Sequence, residues 1–478
     1  MTSFYLKKMI DLFNEDTVVT QNICQQAYFA KRALLSNGWE HNVRFIVKSG
    51  HIHSIVADSD QQSSDIFLSG PVLPTLANLH SHAFQRVMAG AAEVSLNPND
   101  SFWSWRDLMY KIVRRLTPYE VKVIATQLYI DMLKAGYSQV GEFHYLHHDA
   151  NGNRYQHPAE MAMQLLQAAD DSGIGLTLLP ALYSYAGFGQ QAPNAVQERF
   201  IHSSDTYLSL HQSCEQAISN DIRHQIGICF HSLRAVNKEQ IEVVLASLDS
   251  RLPIHIHISE QQKEVQDCLN WSGLRPVQWL HNEIGLNKRW CLVHATHLDQ
   301  SELKAIASSH AIAGLCPTTE ANLGDGIFPA VEYENEKGRW GIGSDSHVSL
   351  SVVEELRTLE YSQRLRDQQR NRLHQPAQSH IGDHLYQQAL FGGNQACDVS
   401  LGLSVGCRAD FMVLDNQHPF IAASESKDIL NRWLFASNEN LIKDVFVAGN
   451  QVINDYHHKC EENSREEFTQ VIKKVIYA

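Results

Sequence analysis

The chain has 478 residues, 44% of them apolar, with a formal net charge of −14. That length exceeds one ordinary domain and suits a barrel with a smaller companion. The acidic balance disfavours a general nucleic-acid or membrane surface, so a small anionic partner needs a local cationic pocket. No run of about 18 apolar residues marks a membrane span. No apolar leader core opens the chain, and nine scattered cysteines without a Cys-x-x-Cys pair read as the reduced thiols of a cytoplasmic protein.

Residues 1–26 carry no usable pattern. Two alternating runs, 43–47 and 51–56, flank Lys48-Ser-Gly50 and predict a hairpin, with His51 and His53 beside its turn facing solvent. After Gly70 strand-like apolar runs alternate with helical segments, the mark of βα units. A long helix is predicted to begin near Ser101, and the Trp103/Trp105 region reads as a packed helix. Thr117-Pro-Tyr-Glu120 restarts a helix with a capping box and a proline at its first turn, and Gly136 ends it. The predicted strands are 72–76, 137–142, 174–179, 225–230, 254–258, 291–293, 311–315 and 340–343, with helical patterns such as 160–169, 238–248 and 299–309 between them. Eight strands in this alternation fit a (β/α)8 barrel over 70–400. Beyond residue 400 the pattern returns to short strands. The stretches 27–69 and 401–460 are therefore expected to build one small β-sandwich from both chain ends.

Such barrels place their chemistry at the C-terminal strand ends. His80 and His82 follow the first strand, His231 and Arg234 the fourth, His257 and Glu260 the fifth, His294 the sixth and Asp345 the eighth. Residues i and i+2 of a strand share a side, so His80 and His82 aim two imidazoles at one point. With His257 and Asp345 they make a set that binds one divalent ion, zinc by preference, and leaves a position open for water. His255 competes with His257, because His255-Ile-His257 repeats the spacing. His257 is preferred since Glu260, three residues on, reaches the same mouth.

These strand ends resemble the metal-dependent amidohydrolase superfamily in its mononuclear aminohydrolase branch; no lysine ends the fourth strand to bridge a second metal. More narrowly, Asn78-Leu-His-Ser-His-Ala-Phe-Gln-Arg86, Glu142-Phe-His-Tyr-Leu-His-His-Asp149, His231-Ser-Leu-Arg234, His255-Ile-His-Ile-Ser-Glu260, Cys316-Pro-Thr-Thr-Glu-Ala-Asn-Leu-Gly324 and Gly343-Ser-Asp-Ser-His347 are similar to the deiminase family that acts on formimidoylglutamate in histidine breakdown. That resemblance implies a homodimer and a set of roles. Asp345 accepts a proton from the activated water as well as touching the metal, Glu260 shuttles protons to the leaving nitrogen, and His294 steadies the adduct. Gln85, Tyr145, His231 and Arg234 hold the substrate. His144, His147 and His148 read as supporting loop residues, and Glu320 and Asn322 are left without a role. Two other readings fit less of the pattern. In one, an aminohydrolase acts on a heterocycle such as guanine or a pterin, which gives Arg234 no carboxylate partner. In the other, a metal-free barrel serves as a binding protein, which leaves the full ligand set without a purpose.

Overall fold

The computed structural model describes residues 25–94, 102–218, 221–375 and 378–477; the unassigned segment 1–24 and Ser101 lie outside them. Eight parallel strands run in chain order: β1 (Leu76–Ser81), β2 (Tyr137–His144), β3 (Gly175–Leu182), β4 (Ile228–Ser232), β5 (Ile254–Ile258), β6 (Trp290–His294), β7 (Ile312–Leu315) and β8 (Arg339–Ile342). Nearly all their residues are buried, as a sheet covered on both faces requires. The ring closes between its ends. Ser81 and Asp345 form a parallel bridge, and the amides of Ser344 and Asp345 donate to His80 O at 3.1 and 3.0 Å.

Two predicted strands differ from those observed. The run 225–230 is split into His224–Ile226 and β4 at Gly227, where a Cβ would stand 2.5 Å from Leu179 Cδ2. Val72–Pro74 is not a barrel strand. It pairs in parallel with Gln25–Leu35 and antiparallel with Phe411–Leu414, and the barrel begins at Leu76. Val-Leu-Pro is equally apolar in either sheet, so composition alone could not separate them. As a result His80 lies inside β1 and only His82 follows its end.

The helix Pro118–Lys134 carries the predicted capping box, with Glu120 accepting the Thr117 amide at 2.9 Å. A second helix, Ile381–Cys397, closes the N-terminal floor of the barrel, where Ala396 and Cys397 join Ala77, Leu79, Cys291 and Val293 in one apolar cluster. Close approach is possible because Gly392 and Gly393 face strand backbone. A Cβ on Gly392 would stand 1.9 Å from Trp340 O, and one on Gly393 2.9 Å from Ala77 O. Gly392→Ala is accordingly expected to cost about 1–3 kcal/mol of stability, the range for overpacking a filled core; denaturant unfolding followed by tryptophan fluorescence checks it.

Both chain ends build a separate nine-stranded sheet among the described residues, mostly antiparallel. Its own core stacks Phe411 on Phe446 at 4.4 Å and Tyr28 on Phe45 at 5.2 Å. The predicted hairpin is present as Gly38–Lys48 and His51–Val56. Ser49 (φ 50) and Gly50 (φ 77) supply the positive angles that its two-residue turn needs. His53 is exposed and His51 half-buried at this turn.

Candidate active site

The strand ends turn sharply out of the barrel. Ser259 (φ 52), His294 (φ 66), Ala295 (φ 48) and Asp345 (φ 43) all occupy the left-handed region, which non-glycine residues enter only when their surroundings compel it. Here hydrogen bonds do so: Asp345 N–H to His80 O, Ala295 N–H to Ile258 O at 3.0 Å, and Glu260 N–H to the Glu264 carboxylate at 3.1 Å. The segment joining His80 to His82 is fixed by Glu142, which accepts from Ala83 N–H at 2.7 Å, Ser81 O–H at 2.5 Å and Tyr129 O–H at 3.2 Å. Burial pushes the Glu142 carboxyl up to about 7.

Within this frame three imidazoles converge. His257 Nε2 lies 3.1 Å from His80 Nε2 and 3.2 Å from His82 Nε2, and Asp345 Oδ1 stands 3.4 Å from both His80 and His82. His82 Nδ1 donates to Phe143 O at 2.7 Å, and His257 Nδ1 to His231 O at 2.9 Å. A neutral ring has one N–H, so both Nε2 atoms turn bare lone pairs toward each other. Burial keeps the rings neutral, His80 being pushed down to about 3. Lone pairs that close repel unless a cation lies between them. The donor set therefore fits a divalent ion, with backbone carbonyls setting the tautomers of His82 and His257.

His255 does share the inward side of β5 with His257, as the spacing suggests, but two residues lower it lies about 6.6 Å deeper. There its Nε2 meets Ala396 O, on the floor helix, at 2.8 Å. It takes no part in the cluster, so His255→Gln is expected to leave bound metal and kcat unchanged, as elemental analysis and steady-state kinetics would show.

Beside the imidazoles stand Glu260 and His294. His294 Nε2 is 3.8 Å from both Glu260 Oε1 and Asp345 Oδ2. Burial holds the Glu260 carboxyl above the usual carboxylate range, with His294 pulling the other way. Burial lowers His294, but Glu260, then Glu320 and Asp345, raise it overall to about 10.

The cleft above is lined by His82, Gln85, Tyr145, His231, Arg234, His257, Glu260, His294 and Asp345, so it gathers the sequence-predicted residues other than the deeper His80. Gln85 Nε2 donates to Tyr145 Oη at 2.9 Å, leaving Gln85 Oε1 buried without a hydrogen-bond partner among the described residues. Burial pushes the Tyr145 phenol well up, so it keeps its proton. His147 and His148 bond to Ala181 O (3.0 Å) and Ile201 O (2.8 Å) in a supporting position. Asn322 is exposed and bonds to Glu93.

One charged lining residue escaped the sequence reading. The helix Phe102–Val113 brings Trp105, Arg106, Met109 and Tyr110 to the cleft, so the segment read as a packed helix also delivers a second guanidinium. Residues i, i+1, i+4 and i+5 of this helix are apolar or aromatic except for the arginine, which marks the position as unusual without saying where the helix lies.

The amidohydrolase family model matches residues 72–452. The chain belongs to the amidohydrolase family. A second model, the N-terminal domain of formimidoylglutamate deiminase HutF, matches residues 25–66 of this amidohydrolase. It is 55% identical over 452 residues to a formimidoylglutamate deiminase of Pseudomonas aeruginosa, covering 94% of this chain and 99% of that one. It is 26% identical over 307 residues to an 8-oxoguanine deaminase of the same organism, covering 62% and 64%. Among solved structures it is similar to an amidohydrolase from Brucella melitensis (TM-score 0.91, 42% identity, 94% and 100% covered). An adenosine deaminase from Xanthomonas campestris shares the fold (TM-score 0.79, 18% identity, 95% and 99% covered).

Proposed function

We propose that this amidohydrolase hydrolyses N-formimidoyl-L-glutamate to N-formyl-L-glutamate and ammonia, using one divalent ion, zinc, held by His80, His82, His257 and Asp345. One juxtaposition carries the reading: two guanidinium groups, Arg106 and Arg234, share a cleft with the imidazole cluster. A flat heterocycle gives such cations nothing to hold, whereas a glutamate moiety offers each a carboxylate, and Arg binds carboxylates through a two-pronged fork. The 55% identical relative that carries the deiminase name supports the same substrate.

When bound, the ion supplies Lewis acidity and lowers the pKa of water from 15.7 to roughly 7. The chain's own residues do the rest. Arg106 and Arg234 hold the carboxylates, while Gln85 Oε1 accepts an N–H of the amidine and the Tyr145 O–H donates a hydrogen bond to the substrate without losing its proton. His231 packs against Tyr145, with ring centroids 5.2 Å apart. Asp345 takes a proton from the attacking water as the new C–O bond forms at the formimidoyl carbon. Glu260 passes protons to the terminal nitrogen, and His294 hydrogen-bonds the oxygen of the tetrahedral adduct. The C–N bond to that nitrogen then breaks. Both protons of the water end on the nitrogen that leaves as ammonia, and the formamide carbonyl remains.

The test follows ammonia and formylglutamate together on zinc-loaded protein, with guanine and a pterin as comparators. Both products from formimidoylglutamate alone are expected. Turnover of a heterocycle with none of formimidoylglutamate would overturn the reading.

A further inference from the structure

The ring of His294 is gripped from behind. Its Nδ1 stands 3.3 Å from Glu320 Oε1, and the same oxygen accepts the backbone N–H of Cys316 at 2.8 Å. Glu320 is buried (4% exposed), on the short helix Pro317–Leu323 that follows β7. The helix is itself tied down: Glu320 N–H donates to Cys316 O at 2.9 Å, and Asp325 N–H to Glu320 O at 3.0 Å. The Asp325 carboxylate in turn accepts the side-chain amide of Gln261, the neighbour of Glu260. One helical turn thus braces the two residues assigned to proton transfer and adduct binding.

An imidazole beside a fixed carboxylate keeps its proton on the nitrogen that faces it. With Nδ1–H committed to Glu320, Nε2 is the ring atom that faces the cleft. That atom points between Glu260 and Asp345, 3.8 Å from each. We infer that Glu320 is a positioning residue for the hydrolytic reaction, acting through His294 by holding its Nδ1–H and its ring plane without touching substrate. The inference rests on the role given to His294 above.

Three substitutions test it. Glu320→Leu keeps the volume and removes the acceptor. It is expected to lower kcat about 10- to 100-fold, the usual cost of losing the partner that orients a histidine at a metal centre, while KM and bound metal stay as in the wild type. Glu320→Gln retains an oxygen for both N–H groups and is expected to recover most of that loss. Glu320→Asp withdraws the oxygen by one methylene; it gives a smaller loss, again in kcat, and serves where the leucine chain does not fold. A leucine or aspartate variant with wild-type kcat, a loss confined to KM, or a glutamine variant as slow as the leucine one would each overturn the inference. So would a crystal structure of the leucine or aspartate variant with the His294 ring unmoved, a result that stands whatever substrate the enzyme takes. A wild-type protein that releases no ammonia from formimidoylglutamate refutes the substrate assignment instead.

Discussion

Glu260→Gln is expected to retain the metal ion and to turn substrate over about 10²–10⁴-fold more slowly, the range that a positioned acid–base group contributes. Glu260 stands in the cleft but outside the imidazole set, so the three rings and Asp345 remain to hold the cation. Its backbone is fixed by the Glu264 carboxylate, independently of its own side chain. An isosteric amide therefore disturbs little of the fold while removing the carboxyl proposed to exchange protons with the leaving nitrogen. The measurement pairs kcat with elemental analysis of the same preparation. Near-full activity would refute the proton-transfer role, and lost metal would show Glu260 to be part of the ion's support.

Replacing both cleft arginines, Arg106→Met with Arg234→Met, is expected to lower kcat/KM about 10²–10⁴-fold. A hydrogen bond to a charged group is worth roughly 1.5–3 kcal/mol, so two sum to roughly 3–6 kcal/mol, and each 1.4 kcal/mol is about tenfold. Each single variant should lose about 10- to 150-fold on the same arithmetic. Methionine keeps most of the apolar stem, which separates lost charge from lost packing. Arg234→Lys should restore little, because a point charge does not reproduce the fork. Full activity of both single variants would remove the argument for a dicarboxylate substrate.

The sequence made the strand-end chemistry legible because a barrel concentrates ionisable residues where apolar runs stop, and five of the eight runs stop at such residues. His82, His257, Glu260, His294 and Asp345 stand where that logic puts them. The structure places His257 in the imidazole cluster and His255 below it, a division that spacing could not supply: both rings face inward, and only depth along the strand separates them. Arg106 and Glu320 were not legible in this way. Each sits on a helix, and its meaning depends on how that helix is laid across the barrel mouth, which no local pattern encodes. Val72–Pro74 misled for a related reason. Three buried apolar residues fit any sheet, and their partners lie nearly 40 residues before and 340 residues after them in the chain.

That last separation has a consequence for biosynthesis. At about 5–20 residues per second, Val72–Pro74 leaves the ribosome roughly 17–70 s before Phe411–Leu414 can cover its flank. The floor helix Ile381–Cys397 is also late, emerging after all eight barrel strands. For most of translation the nascent chain carries an open barrel floor and an unpaired strand edge, the feature by which sheets associate with one another. Loss of the final hundred residues removes none of the cleft side chains, yet it takes away the pieces that close both structures, so early termination is expected to yield an aggregating chain that still carries His80, His82, His257 and Asp345.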